Sequence, residues 1–366
     1  MSNSLRICHL TSVHLDGDIR IFHKMAKTMA LYFEVHVVVP NTTSRIQEGV
    51  NIHSFLAETQ KRRQRMQQTV DLVLQEALRI NADIYQLHDP ELLRIAPKLQ
   101  AIGAKVIFDS HEDVPKQIMD KFWIPWILRK LISSAYAYYE KRVAKKLDGI
   151  ISVTPQICAR FKRYNPNVAL IRNFPLQTEF PRPDWNLKEV QHFCYIGGLY
   201  ASRGIKEVVL AMKEVEGYLH LAGTFDDPLL LAELESSRAW KKVIYHGQVG
   251  RAAIQEILQK CAVGIVTLHP TPSYKEAYPI KMFEYLAAGC AVVASDFPLY
   301  RSLLQDANCG VFVDPKNEYE IAQALQKLSA NKEHTLAMGQ SARASFEALY
   351  NWEKETQTLS AFYLSI

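Results

Sequence analysis

This chain of 366 residues contains two series of short apolar runs. Within each series, the apolar runs alternate with segments of helical periodicity. The first series consists of LRICHLTS (5–12), EVHVVVP (34–40), NIHSFL (51–56), ADIYQLH (82–88), AKVIFDSH (104–111) and DGIISVTP (148–155). Uninterrupted apolar strands with helices between them are typical of a parallel sheet that is covered on both faces. The first half is therefore predicted to be a doubly wound α/β unit.

The pattern pauses at NFPLQTEFPRPDW (173–185), whose three prolines and weak periodicity predict an interdomain linker. It then restarts with HFCYIGG (192–198), GYLHLAG (217–223), KKVIYHG (241–247), VGIVTL (263–268), CAVVAS (290–295) and GVFVDP (310–315). We predict two Rossmann-like domains, residues 1–175 and 176–349, with a ligand cleft between the facing carboxyl ends of their strands.

Composition narrows the classes of protein that remain. Hydrophobic residues make up 48% and charged residues 22% of the chain, values typical of a soluble globular protein. The excess of 43 basic over 38 acidic residues is too small to predict nucleic-acid binding. Six scattered cysteines without a CxxC pair predict buried, reduced thiols and a cytoplasmic protein. Neither a signal peptide nor a membrane span is expected.

The stretch EAYPIKMFEYLAAGCAVVAS (276–295) predicts a loop, a helix and a strand. Pro279 suits the first turn of a helix, because its missing N–H needs no partner there. Gly289 suits the residue that ends the helix, which we expect to run from about 279 to 288. A helix that begins at the carboxyl edge of a parallel sheet favours an anion, usually a phosphate.

Three charged residues of this stretch allow two interpretations. Lys281 and Glu284 are three residues apart and share a helix face. If that face looks into the cleft, Lys281 can meet a diphosphate, Glu284 can accept hydrogen bonds from a vicinal diol, and Glu276 stands beside a sugar. If it looks outward, Lys281 and Glu284 form a surface pair worth a few tenths of a kcal/mol.

The same stretch resembles the E-x7-E signature of retaining glycosyltransferases with the GT-B fold, and most closely those of glycosyltransferase family 4. The resemblance extends over nearly the whole chain. It includes CYIGGLYASRGIKEVVLAM (194–212), HLAGTF (220–225), YHGQV (245–249), VFVDPKN (311–317) and YNWEKE (350–355). It implies the GT-B fold, an acceptor-side first domain completed by a C-terminal helix at about 350–366, and a donor-side second domain.

The resemblance also implies residue roles. Arg203 and Lys281 would bind the donor diphosphate, Glu284 the ribose hydroxyls and Glu276 the transferred sugar. Gly198 stands where family members often have a second arginine, which departs from the family pattern. The backbone near Gly247 and Val249 would hold the base. The implied donor-binding set is Arg203, Lys281, Glu284, Gly198, Val249, Tyr278, Pro279 and Ile280.

Loops after strands in the first half supply further candidates. Gly17, Asp18 and Arg20 follow the first strand, and Gly17 allows a ligand to approach the backbone. His88 ends the fourth predicted strand, and His111 resembles the family histidine beside the donor sugar. A capping or packing role for either histidine stays open. No metal site is predicted, because each histidine stands alone among carboxylates that face different ways.

Two basic segments raise the question of a membrane. KRRQRMQQ (61–68) is strongly cationic, and KFWIPWILRKLISSAYAYYEKRVAKK (121–146) interleaves aromatic and aliphatic residues with Lys and Arg. A basic, Trp-containing amphipathic helix can lie in an anionic membrane surface. A helix that packs against the core with one solvated face is the equal alternative for 121–146.

The sequence and the resemblance together predict a retaining, metal-independent glycosyltransferase without a cofactor. Its donor would be a nucleotide sugar, with UDP as the expected nucleotide, and its acceptor a saccharide or a lipid-linked saccharide. A sugar-nucleotide epimerase of the same fold is one alternative. A non-catalytic nucleotide-sugar-binding protein that docks on membranes is another. An NAD-linked oxidoreductase is disfavoured, since neither half has GxGxxG after its first strand.

Overall fold

The computed structural model describes residues 5–57, 65–121, 123–305 and 307–366, with the backbone alone at 65 and 66. The chain forms two compact units. The first ends at Asn173 and also contains Trp352–Ile366, and the second is Phe174–Asn351. The predicted basic segment 61–68 lies largely outside the described residues.

The first unit is built on one sheet. Its strands are β1 Arg6–Leu10, β2 Glu34–Pro40, β3 Arg45–Gln47, β4 Val50–Phe55, β5 Ile84–Leu87, β6 Lys105–Ser110, β7 Gly149–Ser152 and β8 Val168–Leu170. Within the described residues the order is β3-β4-β2-β1-β5-β6-β7-β8, and all pairs are parallel except β3 with β4. The six predicted strands are confirmed. The two edge strands β3 and β8 were not predicted, because three residues are too few to give an apolar run.

Helices and helical turns cover this sheet. They are Ile19–Ala26, Lys27–Met29, Arg65–Thr69, Val70–Ile80, Pro90–Ile95, Ala96–Ala101, Val114–Asp120, Trp126–Ala144, Pro155–Lys162 and the terminal Trp352–Ser365. The terminal helix is anchored to this unit, because Trp352 Nε1 donates to Thr28 Oγ1 at 3.2 Å. Phe362 lies against Gly149, where a Cβ would stand 2.8 Å from its ring.

The second unit repeats the plan with a parallel sheet. Its strands are β9 Glu189–Ile196, β10 Tyr218–Ala222, β11 Val243–Gly247, β12 Cys261–Val266, β13 Ala291–Ser295 and β14 Gly310–Val313. Their order in the described chain is β11-β10-β9-β12-β13-β14. Its helices and turns are Gln177–Glu179, Ala201–Arg203, Ile205–Ala211, Pro228–Glu235, Arg238–Lys242, Arg251–Lys260, Tyr274–Glu276, Ile280–Ala287, Pro298–Leu304, Glu318–Ala330 and Lys332–Ala348. Two separate apolar clusters, one on each face, confirm the doubly wound arrangement.

The segment predicted as a linker, residues 173–185, is mostly part of the second unit. Phe174 and Phe180 are buried in the apolar cluster of that unit. Trp185 closes over Gly289, where a Cβ would lie 2.6 Å from the indole. The prolines predicted a solvent-exposed linker. The aromatic residues between and after them carry too much apolar surface to stay in solvent, so the segment packs against the second unit.

Three histidines form a hydrogen-bonded ladder across neighbouring strands of the second sheet. His192 Nδ1 lies 2.8 Å from His220 Nε2, and His220 Nδ1 lies 3.0 Å from His246 Nε2. At the His192 end of the ladder, Glu189 Oε2 lies 3.1 Å from His192 Nε2. Each N···N contact needs one N–H and one bare nitrogen, so the ladder is built for neutral rings. Burial, and then the neighbouring His192 and His246, lower the pKa of His220 to about 4.

The ladder predicts a loss of stability in mild acid. Since the folded pKa of His220 lies below its ordinary value of 6.5, the unfolded chain takes up the proton first as the pH falls. The free energy of unfolding should drop by roughly 2 kcal/mol between pH 6.5 and pH 4 from this group. His220→Asn should flatten that part of the melting-temperature profile, whereas His334→Asn, at an exposed site, should not. Parallel profiles for His220→Asn and the wild type would contradict the assignment.

Candidate donor-binding site

The helix Ile280–Ala287, here called the signature helix, confirms the prediction to within one residue at each end. Pro279 stands just before it as the N-cap rather than within the first turn, and no side chain caps its free N–H groups. Gly289 ends it with a φ of 68°, a left-handed conformation that favours glycine. The amide of Cys290 closes the turn by donating to Tyr285 O at 2.9 Å.

Lys281 and Glu284 are both buried, with 8% and 7% of their surfaces exposed. The interpretation as a surface ion pair is therefore wrong. Lys281 Nζ lies 3.5 Å from the centroid of the Tyr195 ring and has no hydrogen-bond partner among the described residues. Burial, and after it the Arg203 charge, hold the pKa of Lys281 well below its usual value. A buried ammonium without a partner is costly, so this position selects for an anion.

A second cation converges on the same place. A Cβ built on Gly197, at the end of β9, would lie 3.8 Å from Arg203 Nη1 and 4.0 Å from Lys281 Nζ. Within the described part of the chain, Arg203 Nε is buried without a hydrogen-bond partner. Two cations at one bare glycine backbone, both short of partners, form a site for a group with more than one negative charge.

Gly198 has a steric reason for lacking a side chain. A Cβ there would lie 2.6 Å from Cζ of Tyr200 and 2.8 Å from its hydroxyl oxygen. The same Tyr200 ring stacks on the Arg203 guanidinium, whose Cζ lies 4.7 Å from the ring centroid. The Tyr200 ring thus fills the space beside Gly198, the position where family members often have a second arginine.

Glu284 is held by a residue that the sequence analysis did not single out. Arg251 Nη1 donates to Glu284 Oε1 at 2.6 Å, and Arg251 Nη2 donates to Glu179 Oε2 at 2.6 Å. Arg251 is the first residue of the helix Arg251–Lys260. The one sequence signal for Arg251 was its position at a helix start directly after YHGQVG. Its partners Glu284 and Glu179 lie 33 and 72 residues away in the chain.

Of the other predicted donor residues, Glu276, Tyr278 and Ile280 lie at the start of the signature helix, whereas Gly247 and Val249 lie at and just after the end of β11. Glu276 ends the helical turn Tyr274–Glu276 and is half-buried. Tyr278 stacks on Phe283 with a centroid distance of 6.0 Å. Val249 packs against an apolar cluster of the second unit, and Ile280 is 41% exposed. Gly247 has a φ of 66° and open space where a Cβ would be.

In the first unit, the loop after β1 lines an open pocket of about 480 Å³ with residues 13–19. Asp18 Oδ1 caps the helix Ile19–Ala26 by accepting from the amides of residues 20 and 21 at 2.8 Å. Asp18 Oδ2 lies 2.9 Å from His14 Nδ1, and this hydrogen bond, followed by the contact with Asp89, raises the pKa of His14 to about 10. Gly17 has no atom within 4 Å of a built Cβ, so its backbone is open to a ligand.

His111 stands directly after β6, where it was predicted to lie. Its Nδ1 is buried and has no hydrogen-bond partner among the described residues. Burial lowers the pKa of His111, so the ring is neutral and can either donate or accept one hydrogen bond. Its ring meets the His14 ring edge-on at 5.7 Å.

Arg20 and His88 lie in a buried network rather than on open loops. Arg20 makes a two-point contact with Asp109, at 2.9 Å from Nε and 2.7 Å from Nη2. His88 is fully buried between Asp109 and His9, at 3.0 and 2.9 Å. His88 cannot contact an acceptor saccharide directly in this arrangement. This favours the alternative that His88 has a packing role. A charged aspartate inside the sheet needs these partners.

All six cysteines are buried and free, as predicted. Among the described residues, no three histidine, cysteine or acidic side chains are grouped so as to hold a metal ion. No described helix combines the length and the apolar character that crossing a bilayer requires.

Family comparisons agree with the fold. The family model Glycosyltransferase Family 4 matches residues 21–174, and the model Glycosyl transferases group 1 matches residues 177–345. Each unit of the chain thus carries a glycosyltransferase domain. The chain thus combines two matches to glycosyltransferase family models with the fold of GT-B glycosyltransferases.

Solved structures and one curated relative add detail. Sucrose-phosphate synthase from Thermosynechococcus elongatus is 15% identical, with a TM-score of 0.78 over 99% of this chain and 98% of that one. HepE of Anabaena, solved with UDP and glucose, is 13% identical, with a TM-score of 0.72 over 99% and 100%. A Campylobacter jejuni enzyme, N,N'-diacetylbacillosaminyl-diphospho-undecaprenol alpha-1,3-N-acetylgalactosaminyltransferase, is 27% identical over 143 residues. That match spans 38% of this chain and 36% of the relative.

Proposed function

We propose that this protein is a retaining glycosyltransferase that moves a sugar from a UDP-sugar to a saccharide or a lipid-linked saccharide. The convergence of Lys281 and Arg203 on Gly197 carries the proposal. Lys281 is buried, Arg203 is half-buried, and Lys281 Nζ and Arg203 Nε lack hydrogen-bond partners within the described residues, so a diphosphate would offset a cost that the fold otherwise leaves uncompensated.

The proposed chemistry follows from where charge develops. Breaking the bond between the sugar and the nucleotide builds negative charge on the β-phosphate, and Lys281 and Arg203 stabilise it without a metal ion. Glu276 stands beside the transferred sugar, where its carboxylate favours oxocarbenium character. Neutral His111 donates a hydrogen bond to that sugar. Retention arises when the acceptor attacks the face from which the phosphate leaves, and the phosphate takes the acceptor proton.

The nucleotide and the acceptor are proposed partly from the relatives. HepE was solved with UDP and glucose, which supports UDP as the nucleotide here. Glu284 would accept hydrogen bonds from the ribose, while the backbone at Gly247 and Val249 holds the base. The name of the Campylobacter relative specifies an undecaprenol-diphosphate acceptor, which supports a lipid-linked saccharide. No organic cofactor takes part.

A thermal-shift panel of nucleotides and nucleotide sugars tests the donor. We expect UDP and at least one UDP-sugar to raise the melting temperature, with uridine alone doing little because the cations bind the diphosphate. No shift with any nucleoside diphosphate would contradict the proposal. An epimerase would convert the UDP-sugar without an acceptor, and a non-catalytic binding protein would leave it intact.

The helix Trp126–Ala144, here called the outward helix, supports a membrane partner. Only Glu140 and Ala144 among its described residues are buried, so the helix contacts its unit along a narrow line. Ile127, Leu131 and Tyr138 share the opposite face and are 66%, 61% and 69% exposed. The exposed large apolar residues of this region are Trp123, Trp126, Ile127, Leu128, Leu131, Ile132, Tyr138 and Tyr139. An apolar stripe that faces solvent is typical of an interaction surface.

The charges favour an anionic lipid surface as the occupant. Lys130, Lys141, Arg142 and Lys145 are exposed on the outward helix or just beyond it, and Lys130 Nζ lies 3.9 Å above the Trp126 ring. Apolar and aromatic side chains would enter the headgroup boundary while the cations meet lipid phosphates. We therefore propose a cytoplasmic protein that binds peripherally to the inner membrane face through residues 121–146.

Vesicle sedimentation tests this surface. The wild type should sediment with vesicles containing phosphatidylglycerol and much less with pure phosphatidylcholine. Replacing Lys130, Lys141, Arg142 and Lys145 with glutamine, or Ile127 and Leu131 with serine, should abolish sedimentation. Leu229→Ser, which removes an exposed leucine of the second unit, is the control and should sediment normally. Unchanged sedimentation of both variants, or a concentration-dependent dimer that the serine variant loses, would contradict a lipid occupant.

A further inference from the structure

Arg251 joins three segments of the second unit through one guanidinium group. Its Nη1 donates to Glu284 Oε1 on the signature helix, and its Nη2 donates to Glu179 Oε2 in the turn Gln177–Glu179, both at 2.6 Å. Phe180 lies under the guanidinium, with 5.6 Å between its ring centroid and the Arg251 Cζ. A planar guanidinium that bridges two carboxylates over an aromatic ring fixes the position of both.

The contact matters because Glu284 is buried. Its side chain is 9% exposed, whereas those of Arg251 and Glu179 are 39% and 22% exposed. A buried carboxylate needs a cationic partner to offset its desolvation, and the nearby Lys281 Nζ makes no hydrogen bond to it within the described residues. Arg251 supplies that charge from the side of the helix Arg251–Lys260.

Only one oxygen of Glu284 is used in the contact. Arg251 occupies Oε1, so the carboxylate cannot rotate freely, and Oε2 is kept for another donor. A vicinal diol such as a ribose offers two O–H donors, and an acceptor held in a fixed orientation discriminates strongly against a sugar that lacks one of them.

We propose that Arg251 is a positioning residue that sets the ribose selectivity of the donor site by holding the Glu284 carboxylate in a fixed orientation, an inference that rests on the proposed function. Glu179 acts one contact further out, since it restrains the second arm of the guanidinium. Arg251 itself touches no part of the donor. The turn Gln177–Glu179, in the segment that looked like a linker, thereby becomes part of the support of the donor site.

Calorimetry with UDP and 2′-deoxy-UDP tests the inference. The wild type should bind UDP about tenfold or more tightly than 2′-deoxy-UDP, because Glu284 accepts from the ribose diol. Arg251→Gln should weaken UDP binding about tenfold and 2′-deoxy-UDP much less, so that their ratio falls toward one. Arg251→Lys, which keeps the charge but not the two-armed contact, should fall between. In transfer assays, Arg251→Gln should raise the KM for the UDP-sugar more than it lowers kcat.

Two comparisons separate positioning from a general structural role. Arg251→Gln combined with Glu284→Gln should lose no more ribose selectivity than either change alone, as expected for residues that act through one contact. Arg301→Gln is the matched control, because Arg301 also stacks on an aromatic ring and binds a carboxylate, with 2.8 Å between its Nη2 and Asp296 Oδ2. It should leave the selectivity unchanged.

The outcomes that overturn the inference are distinct from those that overturn the function. Equal losses for UDP and 2′-deoxy-UDP in Arg251→Gln and Arg251→Lys, or additive losses in the double variant, would reduce Arg251 to a structural residue and leave the proposed function standing. A wild type that binds neither nucleotide would overturn the proposed function and this inference with it.

Discussion

Lys281→Met is expected to lower the rate of transfer about a hundredfold to a thousandfold and to weaken UDP binding, because one of two cations at the diphosphate is lost. The same change should leave the melting temperature unchanged or raise it. Lys281 Nζ is buried, its pKa is held well below the usual value, and no described residue accepts its hydrogen bonds. An apolar side chain of similar length removes that cost and keeps contact with the Tyr195 ring.

Lys275→Met is the control for this prediction, since Lys275 is an exposed lysine of the preceding turn. It should change neither activity nor UDP affinity. A Lys281→Met variant that binds UDP as tightly as the wild type would remove Lys281 from the diphosphate site. A large fall in melting temperature would show instead that the buried ammonium stabilises the fold.

Glu276→Gln is expected to separate binding from chemistry. Transfer should fall about a thousandfold, because a neutral amide cannot stabilise positive charge on the sugar. The affinity for free UDP, measured by calorimetry, should stay within about twofold of the wild type, because UDP carries no sugar for Glu276 to contact. The side chain stands outside the signature helix and is half-buried, so the substitution should also be tolerated by the fold.

Glu256→Gln, at an exposed site on the helix Arg251–Lys260, is the matched control and should behave as the wild type. Normal turnover in Glu276→Gln would exclude the proposed catalytic role. Loss of UDP affinity in parallel with loss of transfer would place Glu276 at the nucleotide rather than at the sugar.

The first prediction reflects a property of the two cations at the candidate site. The buried Lys281 Nζ and the buried Nε atom of the half-buried Arg203 lack described hydrogen-bond partners, an arrangement that destabilises the empty protein. Proteins retain such groups where a ligand supplies the missing charge, so stability and function are expected to change in opposite directions at Lys281.

Much of the fold was predictable because buried parallel strands read as continuous apolar runs. The signature helix was predictable for the same local reason, since Pro279 and Gly289 mark its ends. The edge strands Arg45–Gln47 and Val168–Leu170 were missed because short edge strands have no distinctive pattern. The segment 173–185 was misread because proline content indicates a break in regular structure but says nothing about what the neighbouring aromatic residues bury.

The site was predictable only where its residues share one local element. Lys281 and Glu284 lie one turn apart, so helical geometry alone placed them on one face. Arg251 was missed because its contacts to Glu284 and Glu179 depend on how distant segments meet, which no periodicity encodes. His88 looked like a loop residue because a strand end does not show which way the last side chain points.

The most direct test of the account is the anomeric configuration of the transfer product. The purified protein would be incubated with an α-linked UDP-sugar identified by the thermal-shift panel and with an undecaprenol-diphosphate-linked saccharide, and the new linkage would be read from its anomeric proton coupling by NMR. The account predicts release of UDP and an α-linked product, with both lost in Glu276→Gln. A β-linked product would contradict retention, and conversion of the UDP-sugar without any acceptor would contradict a transferase.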